Sequence, residues 1–375
     1  MGAELAALQR FDEAIASYEA ALRIRPEFPE ALVNLGNALD QSQQTARAIE
    51  CYEKALVLAP NLTVAHYNLS APLLRSGRLQ QGWAEYEWRL KSNLLQPLPQ
   101  MPRWSGELLD GKTILLLTEQ GLGDTLQFSR YARLVKNLGA RVVLRCQPPL
   151  VSLMKTCLAV DEVVPDDAED IEAEFYAPLM SLPHHFGTTL ETVPTDGPYL
   201  SAREELVDEW RATLSRWEGF KIGISWQANP RQDRLGLRSF TLPALEPISK
   251  LSGIQLVSLQ KKDGLDQLAE FGDRIPLVDL GPDVDTQNGP FVDTAAIMHA
   301  LDLVISCDSA VAHLAGALGI ETWLALPTYS DWRWLSGRDD SPWYPTTRLF
   351  RQQRPGDWSS VFASMAGCLE EKRAN

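Results

Sequence analysis

The stretch KTILLLTEQGLGDTLQFSRYARLV, residues 112–135, reads as a strand, a glycine-rich turn and an amphipathic helix, in that order. Thr113–Thr118 is a short apolar run of strand length, and Thr125–Leu138 repeats its apolar residues at helical spacing. The same order recurs downstream. Further strands are expected at Arg141–Cys146, Glu162–Val164, Lys221–Trp226, Gln255–Gln260, Leu303–Ser306 and Thr322–Leu326. Helices are expected between them, at Leu150–Cys157, Glu204–Trp217, Pro243–Leu251, Val292–Leu301 and Ala310–Leu318. Such alternation predicts parallel, doubly wound sheets. The pattern restarts after Trp217–Gly219, which predicts two Rossmann-like domains, 105–217 and 218–357, with a closing helix in 358–375.

Ahead of this region the chain repeats itself at an offset of 34. Ala14, Ile15, Tyr18, Ala21 and Pro26 recur as Ala48, Ile49, Tyr52, Ala55 and Pro60, and Gly2 recurs as Gly36. A weaker third copy supplies Ser70, Leu73, Gly82 and Tyr86. This period and these residues resemble the tetratricopeptide repeat (TPR), a helix–turn–helix unit whose faces are buried only against neighbours. Residues 1–93 are therefore expected to be TPR repeats, followed by a Pro-rich linker at 94–104. The chain begins inside the first helix of a unit, which suggests truncation from a longer array. The third copy gains Trp83, Tyr86 and Trp88, as expected of a terminal repeat that docks onto something else.

Composition narrows the function. Hydrophobic residues make up 45% and charged residues 22% of the 375, the balance of a folded protein and not of a disordered one. A net charge of −14 repels phosphate backbones and anionic lipid, so neither nucleic acid nor a membrane surface is an expected partner. No apolar run reaches the ~20 residues of a membrane span. The N-terminus lacks the features of a secretory signal. The five cysteines are widely spaced with no C-x-x-C pair, which predicts reduced, buried thiols and a cytoplasmic location.

Three loops at the carboxyl ends of strands carry candidate chemistry, where open α/β sheets place ligands. The first is Glu119–Asp124: its glycines, Gly121 and Gly123, permit a tight turn, and Asp124 sits near a helix start. Asp124 is either a functional carboxylate or only a helix cap. The second is Ser306–His313, where Asp308 or Ser309 caps a helix ending at Gly319, its amides at Ser309 and Ala310 can seat a pyrophosphate, and His313 follows one turn in. The third is QANPRQDRLGLRS, residues 227–239. It sets Arg231, Arg234 and Arg238 in an acidic protein, either for an anionic ligand or as a solvated loop paired with Asp233.

Taken in order, EQGLGDTLQFSRY, GISWQANP…LRSF, and CDSAVAHLAGALG followed by DWRWL…DSPWYP resemble the bacterial TPR-linked glycosyltransferases whose catalytic part is similar to the ADP-heptosyltransferases. The resemblance runs from about residue 84 to the end. It implies a GT-B fold, an enzyme using a nucleotide-sugar donor, no metal or other cofactor, and inversion at the anomeric carbon. It makes Asp124 the catalytic base, Asp308 and His313 donor contacts with Gly121, Gly123, Ser309 and Ala310 beside them, and Arg238 a diphosphate ligand. Departure from the heptosyltransferases at Thr125-Leu126-Gln127 leaves donor and acceptor open. The Trp rings of Asp331–Trp334 and Trp343-Tyr344 have two readings, stacking on a base or sugar and core packing.

Asn34 and Asn68 share one repeat position, which reads either as a peptide-binding face or as a solvated polar helix face. The TPR region of O-linked N-acetylglucosamine transferase, which this part resembles, places an asparagine ladder there against peptide backbone, so a protein acceptor is the leading expectation. A cell-surface glycan precursor is the alternative acceptor, and oligomerisation or docking is an alternative use of the repeats. A binding scaffold without turnover and a nucleotide-sugar epimerase or hydrolase are the other functional classes.

Overall fold

A computed structural model describes residues 2–91, 98–231, 233 and 236–374. Residues 92–93 of the expected repeats, 94–97 of the expected linker and Arg234 of the third loop lie outside the described residues. Contacts divide the chain into two bodies.

The first body is helical and comprises Met1–Gln100, Pro183–Val193 and Asp331–Gly337. Gly2–Ala7, Phe11–Ile24, Pro29–Gln41, Thr45–Leu58, Thr63–Arg75 and Leu79–Tyr86 are antiparallel helices packed on their sequence neighbours. The 34-residue offset has a direct steric meaning. A Cβ added to Gly2 would lie 2.8 Å from the Tyr18 ring, and one added to Gly36 would lie 2.7 Å from the Tyr52 ring. The glycine of each unit thus admits the tyrosine of its partner helix, and Ala14, Ala48 and Ala55 are fully buried beside them. The last helix is cut short at Tyr86 and gives way to a 3-10 turn, Glu87–Lys91. What covers it lies within the same body: Trp83 meets Trp332 edge-on at 5.2 Å, Gln80 Nε2 donates to Gly187 O, and Ser336 N donates to Arg75 O. Trp332 and Trp334 are buried here, so of the two readings of this aromatic segment core packing holds.

The second body holds two parallel sheets. The first contains β1 (Thr113–Leu117), β2 (Arg141–Cys146), β3 (Glu162–Pro165) and β4 (Phe175–Pro178), in the order β3-β2-β1-β4. The second contains β5 (Phe220–Ser225), β6 (Ile254–Ser258), β7 (Leu277–Val278), β8 (Leu303–Cys307), β9 (Thr322–Leu326) and β10 (Thr347–Arg351), in the order β10-β9-β8-β5-β6-β7. All ladders are parallel, with Leu115 opposite Val143 and Tyr176 in the first sheet and Ile224 opposite Ser258 and Ile305 in the second. Central strands β1 and β8 are buried almost throughout, as expected where helices cover both faces.

The strands not expected from the sequence are β4, β7 and β10. All three are sheet edges, and β7 has two residues, too few for a period to show. Several expected helices are broken: Thr125–Leu138 is Leu122–Phe128, a 3-10 turn at Ser129–Tyr131, and Ala132–Lys136. Helix Glu204–Leu214, which the linear reading assigns to the first unit, packs on Val292–Met298 of the second, where Trp210 Nε1 donates to Asp293. The final helix, Trp358–Ala374, covers the second sheet through Phe362, Met365 and Leu369. Among the described residues no helix is long and apolar enough to cross a membrane.

Candidate functional site

In the first loop, Gln120 takes the left-handed conformation (φ +60°) and Gly121 does not (φ −92°). The tight turn expected of the glycines is therefore made by Gln120. The turn is braced on both sides: the Thr125 hydroxyl donates to Gln147 Oε1 at 2.8 Å, and Met180 N donates to the buried Glu119 carboxylate at 3.3 Å. Asp124 is the third residue of the helix and reaches back to accept the Gly121 N–H at 2.8 Å.

In the second loop, β8 delivers Cys307 and Asp308, and Ser309 stands at the N-cap of helix Ala310–Ala317. The sequence reading has Asp308 or Ser309 capping by side chain; the Ser309 side chain makes no such bond. Its hydroxyl instead lies 3.3 Å from that of Ser306. The helix ends as expected, with Gly319 at φ +72°. Asp308 and His313 are both buried.

In the third loop, Asp233 is buried and organises the backbone. It accepts the Arg238 N–H and the Ser239 hydroxyl, and Ser239 Oγ accepts from Ala228 N in turn. The Arg238 Nη1 lies 3.9 Å from Asp308 Oδ2. Arg231 is exposed.

The tertiary fold brings these pieces together. Helices Leu122–Phe128 and Ala310–Ala317, one from each sheet, pack against each other. A Cβ added to Gly123 would lie 2.7 Å from His313 Cδ2 and 3.3 Å from its Nε2. Gly123 is thus a glycine because the His313 ring lies on it. Gly123 meets His313, and Arg238 meets Asp308; Asp124 follows Gly123 on its helix, and His313 lies on the helix that starts after Ser309. Asn34 and Asn68 belong to the helical body. Asn34 is exposed, whereas Asn68 is half-buried and donates to Asn37 Oδ1 at 2.9 Å. A cavity of about 400 Å³ elsewhere in the second body, lined by Lys155, Arg203 and Asn288 among others, includes none of the candidate residues.

The sequence reading missed Arg130, Tyr199 and Tyr344 beneath this set. The Tyr344 hydroxyl lies 2.9 Å from His313 Nδ1, and Arg130 Nη2 donates to the Tyr199 hydroxyl at 3.1 Å. Burial pushes the Tyr199 phenol up, with Arg130 pulling the other way, so the phenol stays neutral at pH 7. Arg130 and Tyr344 both lie inside quoted motifs, SRY and DSPWYP, but nothing local marks them as partners.

A family profile described as TPR repeat matches residues 2–43, and one described as tetratricopeptide repeat matches residues 29–62. The chain is 28% identical over 393 residues to Protein FlbA of Caulobacter vibrioides, an alignment covering 96% of this chain and 64% of that protein. The chain thus spans less than two thirds of that relative. Among solved structures, the glycosyl transferase family 9 protein from Veillonella parvula DSM 2008 aligns with TM-score 0.50 and 13% identity, over 70% of this chain and 91% of that one. ADP-heptose lps heptosyltransferase II of E. coli aligns with TM-score 0.49 and 14% identity, over 69% and 99% of the two chains. At such identities the Veillonella likeness is one of fold. This chain has TPR repeats followed by two parallel sheets whose fold is like that of the Veillonella family 9 glycosyl transferase.

Proposed function

We propose that the chain is an inverting, metal-independent glycosyltransferase that moves a sugar from a nucleotide-sugar donor to a peptide. The observation that carries this reading is the close approach of Gly123 to His313, which sets the Asp124 turn beside the donor-side helix. Asp124 takes the proton of the acceptor hydroxyl as that oxygen attacks the anomeric carbon. The bond to the diphosphate breaks on the opposite face, and the diphosphate leaves with the electron pair. Arg238, the amides at Ser309 and Ala310, and His313 bear the departing charge. Asp308, 3.9 Å from Arg238, orients that guanidinium and the donor sugar. Gly121 lets the donor approach the backbone, and Gly123 contributes to the donor side by seating the His313 ring.

The peptide acceptor rests on the repeats. Asn34 and Asn68 are amides that donate and accept, so they suit backbone of any sequence. Screening nucleotide sugars by thermal shift tests the donor, since a ligand that binds only the native state raises its melting temperature. Transfer from the donor so found to a peptide or to a glycan precursor then decides the acceptor. Transfer to the glycan alone would overturn the peptide assignment.

A further inference from the structure

A buried polar chain runs under the candidate site, and the glycosyltransferase mechanism leaves it without a part. Arg130 is 3% exposed. Its Nε donates to Gln127 O at 2.8 Å, its Nη2 to the Tyr199 hydroxyl at 3.1 Å, and its Nη1 to the carbonyls of Pro194 and Trp343. Its guanidinium also lies over the rings of Tyr344 (4.6 Å) and Tyr199 (4.9 Å). The Tyr199 hydroxyl donates to Leu126 O at 2.8 Å and interacts with Tyr344. Tyr344 in turn holds His313 Nδ1. Its ring is seated as closely as Gly123 seats His313: a Cβ on Gly316 would lie 2.3 Å from Tyr344 Cδ1.

Burying a guanidinium among neutral oxygens is costly, and a stability role alone is better served by apolar packing. The arrangement makes sense as a positioning device. Leu126 and Gln127, whose carbonyls receive Tyr199 and Arg130, lie on the same short helix as Asp124. The histidine at the other end stands on the donor-side helix.

We propose that Tyr344, held by Arg130 and Tyr199, is a positioning residue that fixes the tautomer and ring orientation of His313, so that Nε2 faces Gly123 and the donor diphosphate. The proposal deepens the glycosyltransferase reading and rests on it. A histidine ring nitrogen takes its role from the hydrogen bond made by the other nitrogen. In this proposal the Tyr344 hydroxyl donates to Nδ1, which leaves the proton on Nε2 as a donor, and the bond keeps the ring from turning over.

Tyr344→Phe removes one hydroxyl and keeps the ring that fills the space against Gly316. Its kcat is expected to fall about 10-fold or more, with the acceptor KM unchanged. In a His313→Ala background the same substitution is expected to add nothing, because its effect passes through His313. Arg130→Lys keeps the charge but loses the fork, and should reproduce part of the loss. Imidazole nitrogen shifts from NMR of the whole protein report the His313 tautomer whether or not turnover is found, and they should change in Tyr344→Phe. Unchanged imidazole shifts overturn the proposal, as does an equal kcat loss in both His313 backgrounds. Wild-type protein that binds and turns over no nucleotide sugar refutes the enzyme reading instead, while the NMR result still decides the tautomer.

Discussion

Gly123→Ala places one methyl group where the two sheets' helices meet. The new Cβ would lie 2.7 Å from His313 Cδ2, whereas ordinary contact begins at 3.4 Å, so ring and helix must part by roughly 0.7 Å. The ring cannot simply swing aside, since His313 is buried and its Nδ1 is held by Tyr344 at 2.9 Å. Overpacking of this kind costs about 1–3 kcal/mol. Alanine regains about 1 kcal/mol over glycine in a helix. The net loss is about 0–2 kcal/mol, a melting-temperature fall of a few degrees in a body of this size. Turnover should fall much further. A displacement approaching 1 Å between catalytic and binding groups costs on the order of 100-fold. The assay is thermal melting beside donor and acceptor kinetics. His313→Ala removes the obstructing ring at its own cost, so in that background adding Gly123→Ala should lower the melting temperature no further, while turnover stays lost. Near-normal turnover in Gly123→Ala would refute the claim that this contact aligns the site. An equal melting-temperature loss from Gly123→Ala with His313 in place and in the His313→Ala background would show that the methyl group meets something else.

Asp124→Asn keeps an oxygen for the Gly121 N–H but cannot take a proton, so turnover should fall roughly 100-fold or more with the fold intact. Near-normal turnover would leave Asp124 only its role in the turn. Activity should survive a chelator, and Arg238→Ala should weaken donor binding several-fold by titration calorimetry; activity lost in chelator and restored by manganese or magnesium would defeat the metal-independent assignment. A paired Asn34→Ala, Asn68→Ala variant should lower transfer to protein while leaving donor hydrolysis in water unchanged. If both rates are unaffected, the repeats do not hold the acceptor.

Much of this architecture is local, and local order is legible in a sequence. The 34-residue period records the same Gly–Tyr contact made twice, at Gly2–Tyr18 and Gly36–Tyr52, so the repeat shows in the chain as a recurring pair of residue types. Strands β1, β2, β8 and β9 show as apolar runs because each is buried on both faces. Edge strands β4, β7 and β10 do not show, because short or half-covered strands carry no distinctive run. The candidate residues at loop tips are likewise visible one loop at a time, since glycine, a capping-type residue and a strand end are all near neighbours.

Only the tertiary structure decided what each of these faces meets. A periodic apolar face states that something covers it, and leaves open what. So Trp332 is equally readable as a sugar platform or as core, and it is the cover of Trp83 at the end of the repeats. Gly123 reads as a turn residue, and it is where His313, on the other sheet's helix, comes to rest. Nothing near Arg130 in the chain marks it as buried, and its guanidinium ends on the carbonyl of Trp343, far along the chain. The physical reason is the same in all three cases: sequence periodicity reports burial along one element, whereas close approach between elements depends on how two sheets and their helices pack in space.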